Sequence, residues 1–533
     1  MLIAGALSGI QEYLFDIAQE GGRQARQLRA RSFFIQLVAE CAALRVRRAL
    51  GWGHDALLYC GAGRFLLDGP DASPETVEAE RVAIERWLLA ETGGTLRFSL
   101  AGQSAGASAA VQYEELMLRL QREKARPWAS LGRASGGWAP ENLVLPPLDT
   151  PCALCRHRPA TVEERDPDGE GSRRICFRCS SDRRLGAELP RARWLVIRDR
   201  PRRATRDLDV LGLGVSIESS AQPSLDPGVI SVSNLASPET PPEGKAPFSV
   251  RRLARHIPTN ADGLPIEFTA IAASGKGLPL LAVLKMDVDS LGLSFQRALT
   301  EGGLEGMRSL SNELEAFFAD RFNREMSRPE FRMLYTVFAG GDDSLLVGPW
   351  NVVLAFAGHI RRLFGEAFAS RGLTLSAGIA LTKPKRPLRT AAEHAEGLLA
   401  EAKSIEGRPG QGPKNQCAAL GQMWKWEDHR VVLENGEQLV SWTNERIVQR
   451  GWLHTVLELS LARARGDLAA TARLAYHVGR NWPKRGDPRG SKARAFADQL
   501  IQDFDAQTSS VTRYLPAITR YALTATRRND EED

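Results

Sequence analysis

Two acids follow two glycines in Ala339-Gly340-Gly341-Asp342-Asp343-Ser344, between apolar runs at 333–338 and 345–348. Adjacent carboxylates are hard oxygen ligands of the kind Mg²⁺ or Mn²⁺ takes, and a Gly-Gly pair lets the backbone turn tightly beside a phosphate. Such a turn is most often a solvated hairpin tip, so a metal site requires a third acid on a neighbouring strand. Asp287 supplies it: the apolar run 281–284 leads into Lys285-Met286-Asp287-Val288-Asp289-Ser290-Leu291-Gly292, a buried strand ending in carboxylates. Asp287, Asp342 and Asp343 could together hold a pair of divalent ions that activates a hydroxyl and stabilises a leaving pyrophosphate. Asp289 would share the face of Asp287 only if the strand continued, and the chain is expected to turn there.

Four cysteines form a second constellation, Cys152-Ala153-Leu154-Cys155 and Cys176-Phe177-Arg178-Cys179. Two such knuckles fit a closed tetrahedral Zn²⁺ site that braces a polar segment too short to build its own core. Disulfides or a redox pair are the competing readings. The other three of the seven cysteines, Cys41, Cys60 and Cys417, lie scattered in apolar surroundings, and no secretion signal is evident. A structural zinc is therefore expected, with no open position for catalysis.

The elements that must carry the acids follow the order strand, helix (about 291–326), acidic hairpin, helix (about 351–371), strand (373–381). This βαββαβ order resembles the ferredoxin-like palm of nucleotidyl cyclases and polymerases, in which the first and third strands are neighbours, so Asp287 would converge with Asp342 and Asp343. The N-terminus repeats the unit in degenerate form. Ala6-Leu7-Ser8-Gly9-Ile10 aligns with Asp287-Val288-Asp289-Ser290-Leu291, and Gly61-Ala62-Gly63-Arg64 with Gly340-Gly341-Asp342-Asp343, while 120–124 stands where 399–403 stands later. Ala6, Gly63 and Arg64 replace the acids, so one palm is expected to be active and the other to lack a metal site. The fold class is thus α+β: two palms, a zinc-bearing linker and a C-terminal helical domain.

Leu7-Ser8-Gly9-Ile10-Gln11, Leu28-Arg29-Ala30-Arg31-Ser32-Phe33-Phe34, the cysteine knuckles, Met286-Asp287-Val288-Asp289-Ser290-Leu291-Gly292 and the Gly-Gly-Asp-Asp turn occur in this order. In this the chain resembles the large palm-domain subunit of type III CRISPR effector complexes, in particular the III-A branch, over nearly its whole length. The resemblance implies synthesis of cyclic oligoadenylates from ATP, switched on when a guide-RNA complex with other type III subunits binds target RNA, in antiviral defence. Many members carry an N-terminal HD nuclease domain, whereas this sequence starts almost directly on the first palm strand. Its one His-Asp pair, His54-Asp55, lacks the further ligands of a metal phosphohydrolase, so HD-type DNA cleavage is not expected.

Domains are expected at 1–150 (first palm, degenerate), 151–275 (zinc-binding linker, with an exposed Pro/Ser/Gly-rich loop at 219–247), 276–425 (second palm) and 426–533 (helical, ending in an acidic tail). Lys403 and Lys414 follow the last helix of the catalytic unit, where the resemblance supports contact with a triphosphate. Ser290, Gly340 and Gly341 would adjoin that nucleotide, and Ser8 and Gly9 would contact a second one from the first palm. Trp424 and Trp426 are expected to pack rather than stack on bases, and His256, His359 and His477 to be structural.

A net charge of +6 over 533 residues and a pI near 9.0 permit RNA and ATP contact. Arginine far outnumbers lysine throughout, so most arginines are expected to be solvated or paired; Arg26, Arg29 and Arg31, in or beside the family-like segment, are candidates for a specific role. No transmembrane run is present, and a cytoplasmic setting is expected. Two other functions compete. A diguanylate cyclase would explain the turn but not Ser344, the knuckles or the second palm, and no Arg-x-x-Asp inhibitory motif precedes the turn. A silent scaffold of the guide-RNA complex would leave the second palm's acids unexplained.

Overall fold

The computed structural model describes residues 1–15, 24–61, 63–106, 108–137, 149–165, 171–202, 207–245, 247–340, 343–406, 410–484, 488, 490–506 and 509–527. Gly341, Asp342, the acidic tail and most of the strip before Cys152 lie outside the described residues. The chain divides into two compact units. One comprises Met1–Arg255, Leu291–Arg324 and Thr336–Asp343; the other comprises His256–Ser290, Glu325–Tyr335 and Ser344–Asp533.

The first unit opens with β1 (Leu2–Ser8), α1 (Ile10–Phe15), α2 (Gln24–Ala49), β2 (Leu57–Gly61), β3 (Arg64–Asp68), α3 (Pro74–Thr92), β4 (Arg97–Gln103), α4 (Ala109–Lys124) and a short α5 (Ala129–Ala134). The sheet has strand order β2-β3-β1-β4. In its register Ala6 lies opposite Arg64 on one side and Ser99 on the other. Alternation along β1 sends Leu2, Ala4 and Ala6 to a face packed by Leu116 and Leu120 of α4 and by Met307. Helix α3 begins where Ser73 Oγ accepts from Thr76 N with Pro74 in the first turn, and stops at Gly93 with φ 62°.

The cysteine segment contributes a hairpin, β5 (Val162–Arg165) and β6 (Ser172–Ile175), and helix α6 (Phe177–Glu188). A second sheet follows, from β7 (Trp194–Arg198), β8 (Leu208–Val210), β9 (Leu213–Glu218) and β10 (Val229–Asn234), in the order β10-β7-β9-β8. The expectation of an exposed loop over 219–247 is corrected here. Val229–Asn234 pairs antiparallel with β7 and buries Val232 and Ser233; its short alternating pattern was masked by the Pro and Gly on either side. Arg198 is fully buried among Asp207, Ser216, Glu218 and Asp226, so this arginine is an internal ion-pair hub.

Farther along come α7 (Phe268–Ala273), β11 (Leu281–Val288) and α8 (Leu291–Ala316), which kinks at Gly303 with φ 62°. One π-turn (Phe317–Arg321) leads to α9 (Phe322–Met326), then β12 (Tyr335–Gly340), β13 (Asp343–Pro349), α10 (Trp350–Ala367), β14 (Leu375–Thr382) and α11 (Leu388–Ser404). The strand order β12-β13-β11-β14-β15-β16 repeats that of the first sheet and extends it with β15 (Gln416–Ala419) and β16 (Gln422–Lys425). β15 joins β14 in parallel, Ala377 opposite Cys417.

Helices α12 (Trp426–Asn444), α13 (Arg450–Ala464), α14 (Ala470–Asn481), α15 (Ser491–Asp503), α16 (Ser510–Arg513) and α17 (Leu515–Ala525) complete the second unit. The Trp350 ring meets Tyr521 edge-on at 4.8 Å between centroids. Trp424 and Trp426 are buried, Trp426 Nε1 donating to Leu375 O at 2.7 Å, so both pack as expected. Among the described residues no helix is long and apolar enough to cross a membrane.

Candidate active site and cysteine cluster

Strand β11 is apolar through Leu284, and its last turn outward exposes part of Asp287. Asp287 lies opposite Ser376 of β14, as Ala6 lies opposite Ser99 in the first sheet. From α11, Lys403 Nζ reaches Asp287 Oδ1 in a short, half-buried ion pair, and Lys285 Nζ meets Glu396 Oε2 at 2.5 Å. Asp287 Oδ1 is thus already a seat for positive charge. Lys124 at the end of α4, the counterpart of Lys403, has no acid partner among the described residues: burial and then the neighbouring Arg64 hold its ammonium below the ordinary lysine range.

The chain does turn after Val288. Asp289 is buried, accepting from Thr374 Oγ1 at 2.7 Å, Ser376 Oγ at 2.8 Å and Asn415 N at 3.0 Å. This carboxylate therefore ties two strands and a loop together. Ser290 adopts φ 56°, the left-handed conformation its counterpart Gly9 adopts at φ 78°. Ser290 Oγ accepts from Lys414 Nζ at 2.8 Å. Lys414 and Asn415 are left-handed too, at φ 71° and 50°, so strained backbone gathers on one loop beside the acid. Arg361 donates to Asn415 Oδ1 at 2.9 Å, and Lys425 Nζ to the carbonyls of Gly412 and Lys414 at 2.8 and 2.6 Å. Sequence reasoning missed Thr374, Ser376, Arg361 and Lys425 as supports. Polar residues at period two entering the otherwise apolar β14 were the available signal.

Of the expected site residues, Asp287, Ser290, Lys403 and Lys414 come together in the second unit. Gly340 ends β12 and Asp343 begins β13. Ser8 and Gly9 end β1 in the first unit, where Gly9 O accepts from Tyr13 N at 2.9 Å. A Cβ on Gly9 would lie 2.0 Å from Thr95 O, so close approach as well as positive φ demands glycine here.

The four knuckle sulfurs lie within 4.8 Å of one another, all buried. Leu154 N points at Cys152 Sγ (3.4 Å) and Cys179 N at Cys176 Sγ (3.3 Å). Hydrogen bonding with Cys155, Cys176 and Cys179 draws the Cys152 thiol down, while the same kind of bonding to Cys152, Cys155 and Cys176 pushes Cys179 up. Four thiolates cannot coexist there without a cation between them, and the donor set fits one soft tetrahedral ion. His54 belongs to a single exposed 3₁₀ turn, His54–Ala56.

Comparison with known proteins gives two family matches, the Csm1 subunit domain B over residues 1–132 and the Cas10/Cmr2 second palm domain over 280–410. The Cas10/Csm1 single-strand-specific deoxyribonuclease (subtype III-A) of Mycobacterium tuberculosis is 25% identical over 99% of this chain and 67% of its own length. The chain is thus similar to the Cas10/Csm1 proteins over nearly its whole length. The Thermococcus onnurineus member is also 25% identical, over 76% of this chain and 54% of its own length. This chain therefore spans roughly half to two thirds of the curated members it matches. Among solved structures, a Csm1–Csm4 cassette with one ATP superposes with TM-score 0.74 and 18% identity, covering 99% of this chain and 70% of the other. The same kind of cassette with cA4 gives 0.71 and 17%, with coverages of 99% and 70%. The fold is thus shared with these Csm1 chains.

Proposed function

We propose that this chain is the large subunit of a type III-A CRISPR complex and that, when the complex binds target RNA, it makes cyclic oligoadenylate from ATP in the cytoplasm as an antiviral signal. The observation that supports this most is the contrast at one register position: Asp287 opposite Ser376 with a cation on its carboxylate, against Ala6 opposite Ser99 with none. β13, which starts at Asp343, is the sheet neighbour of β11, which carries Asp287. Asp287, Asp342 and Asp343 would hold Mg²⁺ or Mn²⁺, which when bound would polarise the phosphoryl oxygens and the attacking hydroxyl. Lys403 and Lys414 would bind the triphosphate of the donor ATP beside Ser290, Gly340 and Gly341, Lys403 exchanging its carboxylate partner for phosphate. Ser8 and Gly9 would seat the acceptor ATP. The acceptor's 3′ oxygen forms the new bond to the donor's α-phosphorus as the bond to pyrophosphate breaks, and the hydroxyl proton passes to solvent.

Cys152, Cys155, Cys176 and Cys179 would hold one structural Zn²⁺. The functional division follows the segments 1–150, 151–275, 276–425 and 426–533. Csm1–Csm4 cassettes with ATP and with cA4 among the structural neighbours agree with ATP as substrate and with a neighbouring subunit. The test is to incubate the assembled guide-RNA complex and target RNA with labelled ATP and Mg²⁺ or Mn²⁺, resolving products by mass. Cyclic oligoadenylate that disappears in the Asp342→Ala/Asp343→Ala double variant is expected. Absence of product under every condition would overturn the assignment in favour of a scaffold.

A further inference from the structure

The segment Leu28–Phe34 is family-like, yet its arginines do not face solvent: Arg29 is 8% exposed and Arg31 1%. They point at the helix that follows the second cysteine knuckle. Arg29 donates to Gly186 O of α6, and a Cβ on Gly186 would lie 2.0 Å from Arg26 O, so α2 and α6 touch backbone to backbone. Asp182 of α6 is fully buried, with Oδ1 2.7 Å from Arg178 NH2 and Oδ2 3.5 Å from Arg31 Nε. Arg178, between the two cysteines of its knuckle, lies 3.5 Å over the Phe34 ring. Arg31 in turn donates from NH1 to Tyr13 O at 2.6 Å and lies over the Tyr13 ring at 5.1 Å. Tyr13 N donates to Gly9 O.

We infer that the cysteine-bound module positions the Ser8–Gly9 loop of the first sheet through Asp182, Arg31 and Tyr13. A metal on the four sulfurs fixes the first turn of α6, because Cys176 caps that helix through Cys179 N. That turn fixes Arg178 and Asp182. Asp182 fixes the Arg31 guanidinium, whose fork holds the carbonyl of Tyr13 and thereby the short helix α1 that starts just past Gly9. Arg31 and Asp182 are positioning residues, and they explain why a buried charge cluster is retained between two helices that apolar side chains could have joined. The inference rests on the reading of Ser8–Gly9 as the acceptor-nucleotide loop.

Hydrogen exchange on the zinc-loaded chain, with and without ATP, tests both parts separately. Arg31→Lys keeps the charge but cannot serve Asp182 and the Tyr13 carbonyl at once; Asp182→Asn keeps the shape but not the charge. Both are expected to leave β4 and α3 protected while amides 8–15 exchange faster by about tenfold or more, Arg31→Lys through loss of the hydrogen bond to Tyr13 O and Asp182→Asn through loss of the buried ion pair that holds Arg31. Stripping the metal with a chelator should loosen the same amides. Should Asp182→Asn fail to fold, Arg31→Lys alone decides. Unchanged exchange at 8–15 in a folded Arg31→Lys, or after metal removal, overturns the linkage. Lack of any ATP-dependent slowing at 8–15 in the unmodified chain instead overturns the nucleotide reading on which the inference rests.

Discussion

The sheet of the first unit and that of the second share the order of their first four strands, the turn after the first strand, the left-handed residue in that turn and a lysine near the end of the helix after the fourth strand, yet they differ at the positions where charge matters. In the second, Asp287 and Lys403 neutralise each other in a half-buried pair. In the first, Ala6 is buried in a wholly apolar cluster, and Arg64 and Lys124 repel. The fold therefore needs neither acid nor ion pair at this register. A carboxylate at Asp287 is a cost the second sheet carries, since burying it without partners would be unfavourable, and so it points to chemistry.

Breaking this contrast should have its largest effect on catalysis. Asp287→Ala makes the second sheet resemble the first at that register and is expected to lower cyclic oligoadenylate formation on the order of 10³-fold, about 4 kcal/mol of transition-state stabilisation, with complex assembly unchanged by size-exclusion chromatography. Asp343→Ala should match it.

A pH titration sharpens the comparison next, because the deeply buried histidine belongs to the second unit. His429 accepts from Trp424 Nε1 at Nδ1 (3.0 Å), and its Nε2 donates to Leu354 O (3.0 Å). Burial pushes its pKa down to about 4. The unfolded chain takes up this proton near pH 6.5 and the folded chain only near 4, so stability is complete above 6.5 and is lost as pH falls between the two, by about 3 kcal/mol. Urea melts from pH 7.5 to 4.5 followed by unit-specific hydrogen exchange should show the second unit opening first; His429→Gln should flatten the trend.

Smaller effects come from the shared left-handed turn. Gly9→Ser copies Ser290 into the first sheet and is expected to destabilise it by about 2 kcal/mol, because the new Cβ would strike Thr95 O; Ser290→Gly should change stability by less than about 1 kcal/mol, relieving backbone strain while losing the Lys414 bond. Denaturant melts of the pair measure the difference. Last, Lys124→Met should stabilise by less than about 1 kcal/mol, since the ammonium it removes is half-exposed and screened.

Much of this was legible beforehand because apolar runs of strand length, bounded by Gly and by acids, mark β1, β11 and the β12–β13 hairpin unambiguously. The cysteine spacing likewise foretold four convergent sulfurs. What escaped notice has a common cause. β15, β16 and β10 are short and carry Gln, Ser and Cys, so their strand character comes from the sheet edge they pair with rather than from their own sequence. The turn expected before Asp289 is present, but the partners of its carboxylate, Thr374, Ser376 and Asn415, lie far away in the chain. Arg29 and Arg31 of α2 were marked for a specific role, but their partners Gly186 and Asp182 lie far along the chain.

The first unit is assembled from three separate stretches of chain, the last ending at Asp343. On the ribosome its opening sheet and α4 emerge long before Met307 of α8, the residue that covers Leu116 and Leu120. At typical synthesis rates of about 5–20 residues per second that interval is on the order of ten seconds or more. For that time a newborn chain leaves open the side of this apolar cluster that Met307 closes, so the pace of translation, as well as the stability of the finished protein, bears on its folding.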